Sequence, residues 1–450
     1  MATADYSPWA EIRQNRWLYL ALIAALALWC VLDVMPRGGI NPRRIFEHRT
    51  DLTVYTEAGA AFFDGRNPYE VSNPRGWHYL YPPMFAILIA PLHMLPSTGQ
   101  VGIWFVLSVA MALGSYFETR RLVTRLQKTG FGQGSSRLIF WLGVAALLTA
   151  TLPIFNCLQR GQVEILKLFL MLLAFRVYFW GRGPRAWFVS GVLFAIAGIL
   201  KLTPLLPVAC LILYDGVLTV RRRADRLAWQ RPASLSAGVG TGLVVFALLV
   251  PAGILGWNAN LRHLRTWFSL VVTKVVDVRT SDFGEDVRSV RNQSLDNAAY
   301  RLGNWIDYEF AGGPDDSAID RPHPAKLRLP MDAWPAGDLI VLGRVVTLVL
   351  LLLFVIRSAR YDQLLGRATV FGLACVTTLV VCPVARATYF ALMLPAVVFS
   401  SMWLVQLGRP GIARLLAFAP AASVWLHYLL LPESGRVGLL GLATTAWFFA

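Results

Sequence analysis

Apolar residues run in blocks of about 15–23 positions with almost no charge inside them, joined by short polar connections. A bilayer core needs about 20 apolar residues per helix, so these blocks predict membrane-spanning helices. They lie near 17–35, 99–117, 138–154, 163–180, 186–200, 203–220, 235–256, 337–357, 367–382, 388–404, 412–430 and 435–450, about twelve in all. Residues 83–95 are apolar but too short to cross, and Pro82, Pro83, Pro91 and Pro96 bound or interrupt them. They suit a re-entrant or interfacial segment. The expected fold is therefore all-α and polytopic, one membrane domain over 1–450. Two large loops interrupt it, 36–98 and 257–335. The first block follows Arg13 and Arg16 and reads as an uncleaved signal anchor.

Composition agrees, with 56% of the 450 residues hydrophobic and 15% charged. A soluble domain carries about 25% charged residues. The net charge of +16 does not indicate nucleic acid, because most Lys and Arg sit in the connections between apolar blocks. Arg120, Arg121, Arg125 and Lys128 mark one inside connection, Arg182 and Arg185 a second, and Arg221, Arg222, Arg223, Arg226 and Arg231 a third. The short outside turns hold one cation each: Arg160, Lys201, Arg386 and Arg436. This asymmetry puts both ends in the cytoplasm and both large loops on the extracytoplasmic face of the plasma membrane. If 83–95 crossed the bilayer, every later orientation would reverse. The five cysteines occur singly, without C-x-x-C or His/Cys metal spacing, so free thiols and no metal or cofactor are expected.

Local chemistry concentrates on the outside. Thr50 can cap a helix running to Phe63 and closed by Gly65, with Leu52, Tyr55, Ala58, Gly59 and Phe62 on one face. Asp51 then takes the first helical position. The helix dipole alone favours an acid there by about 0.3–1 kcal/mol, while a catalytic acid is the other reading. Glu164 and Lys167, at i and i+3 just inside a span, can neutralise each other; contact with a substrate is the alternative. Arg160, Lys201 and Arg386 either snorkel to water or meet a phosphate at headgroup depth. Tyr81 with Pro82 and Pro83 sets the start of the short apolar segment.

Several motifs, in order from about residue 50 to about 395, resemble glycosyltransferase family 87. Asp51-Leu-Thr-Val-Tyr55, Asp64-Gly-Arg-Asn-Pro-Tyr69 and Tyr79-Leu-Tyr81-Pro82-Pro83 are similar to its first outer loop. Gln159-Arg-Gly161-Gln162-Val163 is similar to its Gly-Gln motif, Lys201-Leu-Thr-Pro204 to its Lys-x-x-Pro turn, and Asn292-Gln293-Ser294-Leu295 with Arg301 to its Asn-Gln-Ser motif. The resemblance implies a GT-C membrane fold. It also implies transfer of a hexose, typically mannose, from a polyprenyl-phosphate donor with inversion to an extracytoplasmic glycolipid or glycan. Asp51 would be the base at the acceptor hydroxyl. Arg160, Lys201 and Arg386 would meet the donor phosphate. Tyr55, Tyr81, Gln162, Glu164, Asn292, Gln293, Ser294 and Arg301 would contact substrate. The partners are then the lipid-linked donor, the acceptor and surrounding membrane lipids, and the chemistry needs no metal. The chain departs from the family in two places. Glu164 stands where asparagine is usual, and Cys382-Pro383-Val-Ala-Arg386-Ala-Thr388-Tyr389 lacks the family's histidine. A polytopic transporter or lipid-linked-sugar flippase is the alternative. It predicts inverted repeats and mid-bilayer charges, and the sequence shows no strong internal repeat. A non-catalytic membrane scaffold would explain the topology but not the motif series.

Overall fold

The computed structural model describes residues 6–44, 48–130, 136–221, 226–273, 293–294, 336–360, 364–382, 385–430 and 439–449. Every expected apolar block is helical within them. Among the described residues, eight helices are long and apolar enough to cross a membrane: Arg16–Gly38, Ser97–Lys128, Arg137–Arg160, Ala228–Leu255, Ile340–Ser358, Leu364–Val381, Ala387–Gln406 and Pro410–Leu429. The remaining blocks form shorter helices, Glu164–Trp180, Pro184–Leu200, Leu205–Arg221 and Leu439–Phe449. A 17-residue helix is about 25 Å long, close to the thickness of the hydrocarbon core. The protein is an integral membrane protein.

The chain divides into two compact units. The first comprises Met1–Gly132, Ile154–Val208 and Arg222–Phe268. Within it the helix Pro184–Leu200 packs along Arg226–Leu243. Gly191 and Gly238 make that approach possible: a Cβ on Gly238 would lie 2.1 Å from the Phe188 carbonyl oxygen, and one on Gly191 2.3 Å from that of Leu235. Without a hydrophobic driving force in lipid, small residues at a helix interface let dispersion contacts do the joining. The Arg16–Gly38 and Ala228–Leu255 helices leave most of their apolar surface uncovered, as lipid-facing helices do.

The polar stretch after the first helix is ordered around the Leu52–Phe63 helix. Pro83–Ile89 is α-helical and Ala90–Met94 continues it as a 3₁₀ turn, both packed against Leu52–Phe63. The proline pair at 82 and 83 starts this short element, since Pro suits the first helical turn.

The second unit comprises Gln133–Pro153, Ala209–Arg221 and Ser269–Ala450. Its core is the Leu364–Val381 helix packed on Met393–Gln406, both largely buried. Arg367 pairs with Asp215 at 2.9 Å inside this unit, its guanidinium stacked over the Tyr214 ring.

Candidate active site

The turn Gln159–Gln162 is bonded to the start of the Leu52–Phe63 helix. Thr50, expected as the cap, lies one residue before the cap position, and its Oγ1 accepts the Leu52 N–H at 3.2 Å. The same hydroxyl donates to the Arg160 carbonyl at 3.1 Å, and Asp51 N–H donates to that carbonyl at 2.7 Å. Asp51, expected at the first helical position, occupies the cap position instead, with φ −84° and ψ −19°, and the helix starts at Leu52. Its side chain makes no capping bond. The carboxylate instead receives the Gln162 side-chain amide and pairs with Arg160 at 3.4 Å. A dipole-favoured helix start thus describes where Asp51 sits, but not what its carboxylate touches.

Gly161 makes this docking possible. Its φ is +64°, and a Cβ there would lie 2.9 Å from Thr50 Oγ1 and 3.0 Å from Leu52 Cβ. Only glycine combines a left-handed backbone with so close an approach at little cost. The turn has a further anchor, because Gln159 donates to Asp33 at 2.7 Å. Asp33 also accepts from Trp29 and pairs with Arg37. An acid inside an apolar block was the available sequence signal for Asp33.

Residues 73–77 form the other wall. Asn73 Oδ1 accepts the N–H groups of Arg75 and Trp77 at 2.9 and 3.1 Å, and its amide donates to the Thr50 carbonyl at 3.3 Å. Gly76, at φ +75°, lets the turn close. The Arg160 guanidinium lies over the Trp77 ring at 5.1 Å, and that of Arg75 at 5.3 Å from the same ring. His48 Nε2 lies 2.9 Å from Thr53 Oγ1. Burial and the Arg75 charge hold the imidazole below its ordinary pKa, against an opposing pull from Asp51. The Asn-Pro-Arg-Gly stretch signals a turn in the sequence, but nothing local says that it bears on Arg160.

Tyr55 lies one helical turn beyond Asp51, in an aromatic cluster. Its hydroxyl is 3.1 Å from that of Tyr81, and the two rings meet edge to face at 5.1 Å. Phe85 and Trp104 complete the group. Past the turn, Glu164 is buried at 1% exposure. It pairs with Lys167, as the i, i+3 spacing implies, and also with Lys201 at 2.7 Å. Asp51, Arg160, Gln162, Glu164 and Lys201 are therefore linked through one turn and its flanking helix.

Gln293, Ser294 and Arg386 belong to the second unit. Gln293 N–H donates to the Ala385 carbonyl at 2.7 Å, which sets Gln293 beside the residue before Arg386. Arg386 precedes the 3₁₀ helix Ala387–Leu392, and Gln293 and Ser294 are buried. Asn292 and Arg301 lie outside the described residues. Among the described residues, no group of three or more His, Cys, Asp or Glu could hold a metal ion.

The profile of glycosyltransferase family 87 matches residues 79–313, more than half of the chain. The chain belongs to glycosyltransferase family 87. Arg160, Gln162, Glu164 and Lys201 lie inside the matched span of this family 87 protein, while Asp51 lies upstream of it. A polyprenol-phosphate-mannose-dependent alpha-(1-2)-phosphatidylinositol pentamannoside mannosyltransferase of Mycobacterium tuberculosis is 29% identical over 37% of the family 87 chain. The protein of the same name from Mycolicibacterium smegmatis is 30% identical over 28% of it. The matched stretches span 34% and 27% of those relatives' lengths. Among solved structures, ArnT from Cupriavidus metallidurans bound to undecaprenyl phosphate aligns with a TM-score of 0.37 and 17% identity, over 96% of this chain and 76% of that one.

Proposed function

We propose that this family 87 protein transfers a hexose, mannose in the first instance, from a polyprenyl-phosphate donor to a glycolipid or glycan acceptor. The reaction proceeds with inversion on the extracytoplasmic face of the plasma membrane. The observation that carries the reading is the Asp51 carboxylate. It is held off its own helix terminus and presented beside the Arg160 guanidinium and the Gln162 amide. The dependence of the two mycobacterial relatives on polyprenol-phosphate-mannose, stated in their names, supports the donor class.

In this reading Asp51 takes the proton of the acceptor hydroxyl. The hydroxyl oxygen forms a bond to the anomeric carbon from the face opposite the phosphate. The bond from that carbon to the phosphate oxygen breaks, and its electron pair leaves with polyprenyl phosphate. A positioned base contributes about 10²–10⁴-fold. The departing phosphate gains negative charge as the bond breaks, so cations placed for it stabilise the transition state more than the ground state. Arg160 and Lys201 take that role, with Gln162 orienting the base. Arg386 remains a donor-phosphate contact in this proposal, and Tyr55, Tyr81, Gln293, Ser294, Asn292 and Arg301 remain substrate contacts.

The test is release of polyprenyl phosphate from polyprenyl-phosphate-mannose by purified wild type and Asp51→Asn, given a membrane-lipid acceptor extract. Loss of about 10²-fold or more in the variant, with an unchanged melting temperature, is expected. Equal release by both proteins removes Asp51 from the mechanism. Movement of an intact lipid-linked sugar across vesicles without release would favour a flippase.

A further inference from the structure

The Glu164 carboxylate is positioned to act through a lysine and not on substrate directly. It stands at the first position of the Glu164–Trp180 helix, where the helix dipole favours an acid. Two ammonium groups share it. Lys167, one turn further along, is fully buried at 0% exposure. Lys201, just past the end of the Pro184–Leu200 helix, reaches Glu164 Oε1 at 2.7 Å and keeps 19% of its side chain exposed. Both Glu164 oxygens are engaged, Oε2 by Lys167 and Oε1 by Lys201, and the residue is almost fully enclosed, so the carboxylate itself does not face a ligand.

We propose that Glu164 is a positioning residue. Paired also with Lys167, it holds the Lys201 ammonium in place, and that ammonium receives the phosphate of the polyprenyl donor. Lysine is a flexible four-carbon stem carrying a point charge. Ordering it before the ligand arrives removes an entropic cost from binding. This inference rests on the donor reading above and gives Glu164 an indirect role in place of direct substrate contact.

The test compares wild type, Lys201→Gln, Glu164→Gln/Lys167→Met and the triple combination. Each is purified in nanodiscs and measured for melting temperature, affinity for polyprenyl phosphate, and KM and kcat with polyprenyl-phosphate-mannose. The double variant removes both charges of the buried pair together and is expected to melt close to wild type. Its kcat/KM for the donor should fall about tenfold, and its affinity for polyprenyl phosphate should fall too. Lys201→Gln should lower kcat/KM by a similar factor, and the triple variant by no more, because residues acting as one unit are not additive. A folded double variant with wild-type kcat/KM and phosphate affinity would show Glu164 to be purely structural and overturn the proposal. So would full additivity with Lys201→Gln. Wild type that binds no polyprenyl phosphate would overturn the donor reading itself, and this inference with it.

Discussion

Gly161 is the single residue on which the Asp51 geometry most depends. Its backbone is left-handed, and a Cβ added there would stand only 2.9 Å from Thr50 Oγ1, so a side chain has no room. Gly161→Ala is expected to cost about 1–2 kcal/mol in backbone strain alone. It should also push the Gln159–Gln162 turn off the Asp51 helix. Transfer should fall at least tenfold while the helical circular dichroism is kept, since a shift of about 1 Å at a site can cost 10²-fold. Transfer at the wild-type rate would show that the turn need not touch the helix. His48 gives a pH signature at the same scale. Its folded-state pKa lies below the ordinary 6.5, chiefly through burial and then through Arg75. The unfolded chain therefore binds more protons as pH falls through that range, and stability drops. The contribution is fully present above pH 6.5 and is lost as pH falls toward the folded value. Melting curves between pH 7.5 and about 5 should show this slope, and His48→Asn should flatten it. His263, also held low by burial and Arg262, leaves a residual slope in the variant.

At the scale of elements, the helices were legible in the sequence and the docking of the loop segments was not. Long apolar blocks dictate helices because a bilayer leaves backbone groups no other partner. The Leu52–Phe63 helix was readable from Thr50 as its expected cap and its apolar face, and the structure has it with those bounds to within a residue. The i, i+3 pair Glu164–Lys167 was legible for the same reason, since helix geometry alone brings the two together. Lys201 joining that pair was not, because it comes from a different helix end 37 positions away. Asn73 and Trp77 were missed likewise: their importance arises where a turn meets Thr50 and Arg160, and no local pattern encodes that. A buried ion pair between helices has the same character. Asp215 and Arg367 are 152 positions apart and almost fully enclosed. Asp215→Asn should destabilise the protein by about 3–5 kcal/mol, because it breaks a buried ion pair by removing one of its two charges. Asp215→Leu/Arg367→Met should recover most of that loss, since an apolar pair of similar volume is often neutral. Thermal melts in detergent distinguish the two, and equal destabilisation by both variants would show that the pair is needed for more than mutual neutralisation.

For the whole molecule, orientation turns on Pro83–Met94. The element has seven α-helical and five 3₁₀ residues, a length of about 20 Å against about 30 Å of hydrocarbon. Pro83–Ile89 is buried except at Leu88, and it packs on the Leu52–Phe63 helix, so its surroundings are protein more than lipid. An element that returns to the face it left keeps the Lys- and Arg-rich connections on the cytoplasmic side. Under the proposed function it would also put Asp51, Arg160 and Lys201 on the face where a lipid-linked donor and an extracytoplasmic acceptor meet. Single cysteines at exposed Glu70 and exposed Arg182, in a Cys382→Ser background, separate the two topologies. A membrane-impermeant maleimide applied to intact cells should label the Glu70→Cys protein at once. Arg182→Cys should react only after the membrane is opened. Labelling of Arg182→Cys from outside would mean that Pro83–Met94 crosses. Arg160 and Lys201 would then face the cytoplasm, on the opposite side from the first loop, and a single site built from Asp51 and Arg160 would be impossible.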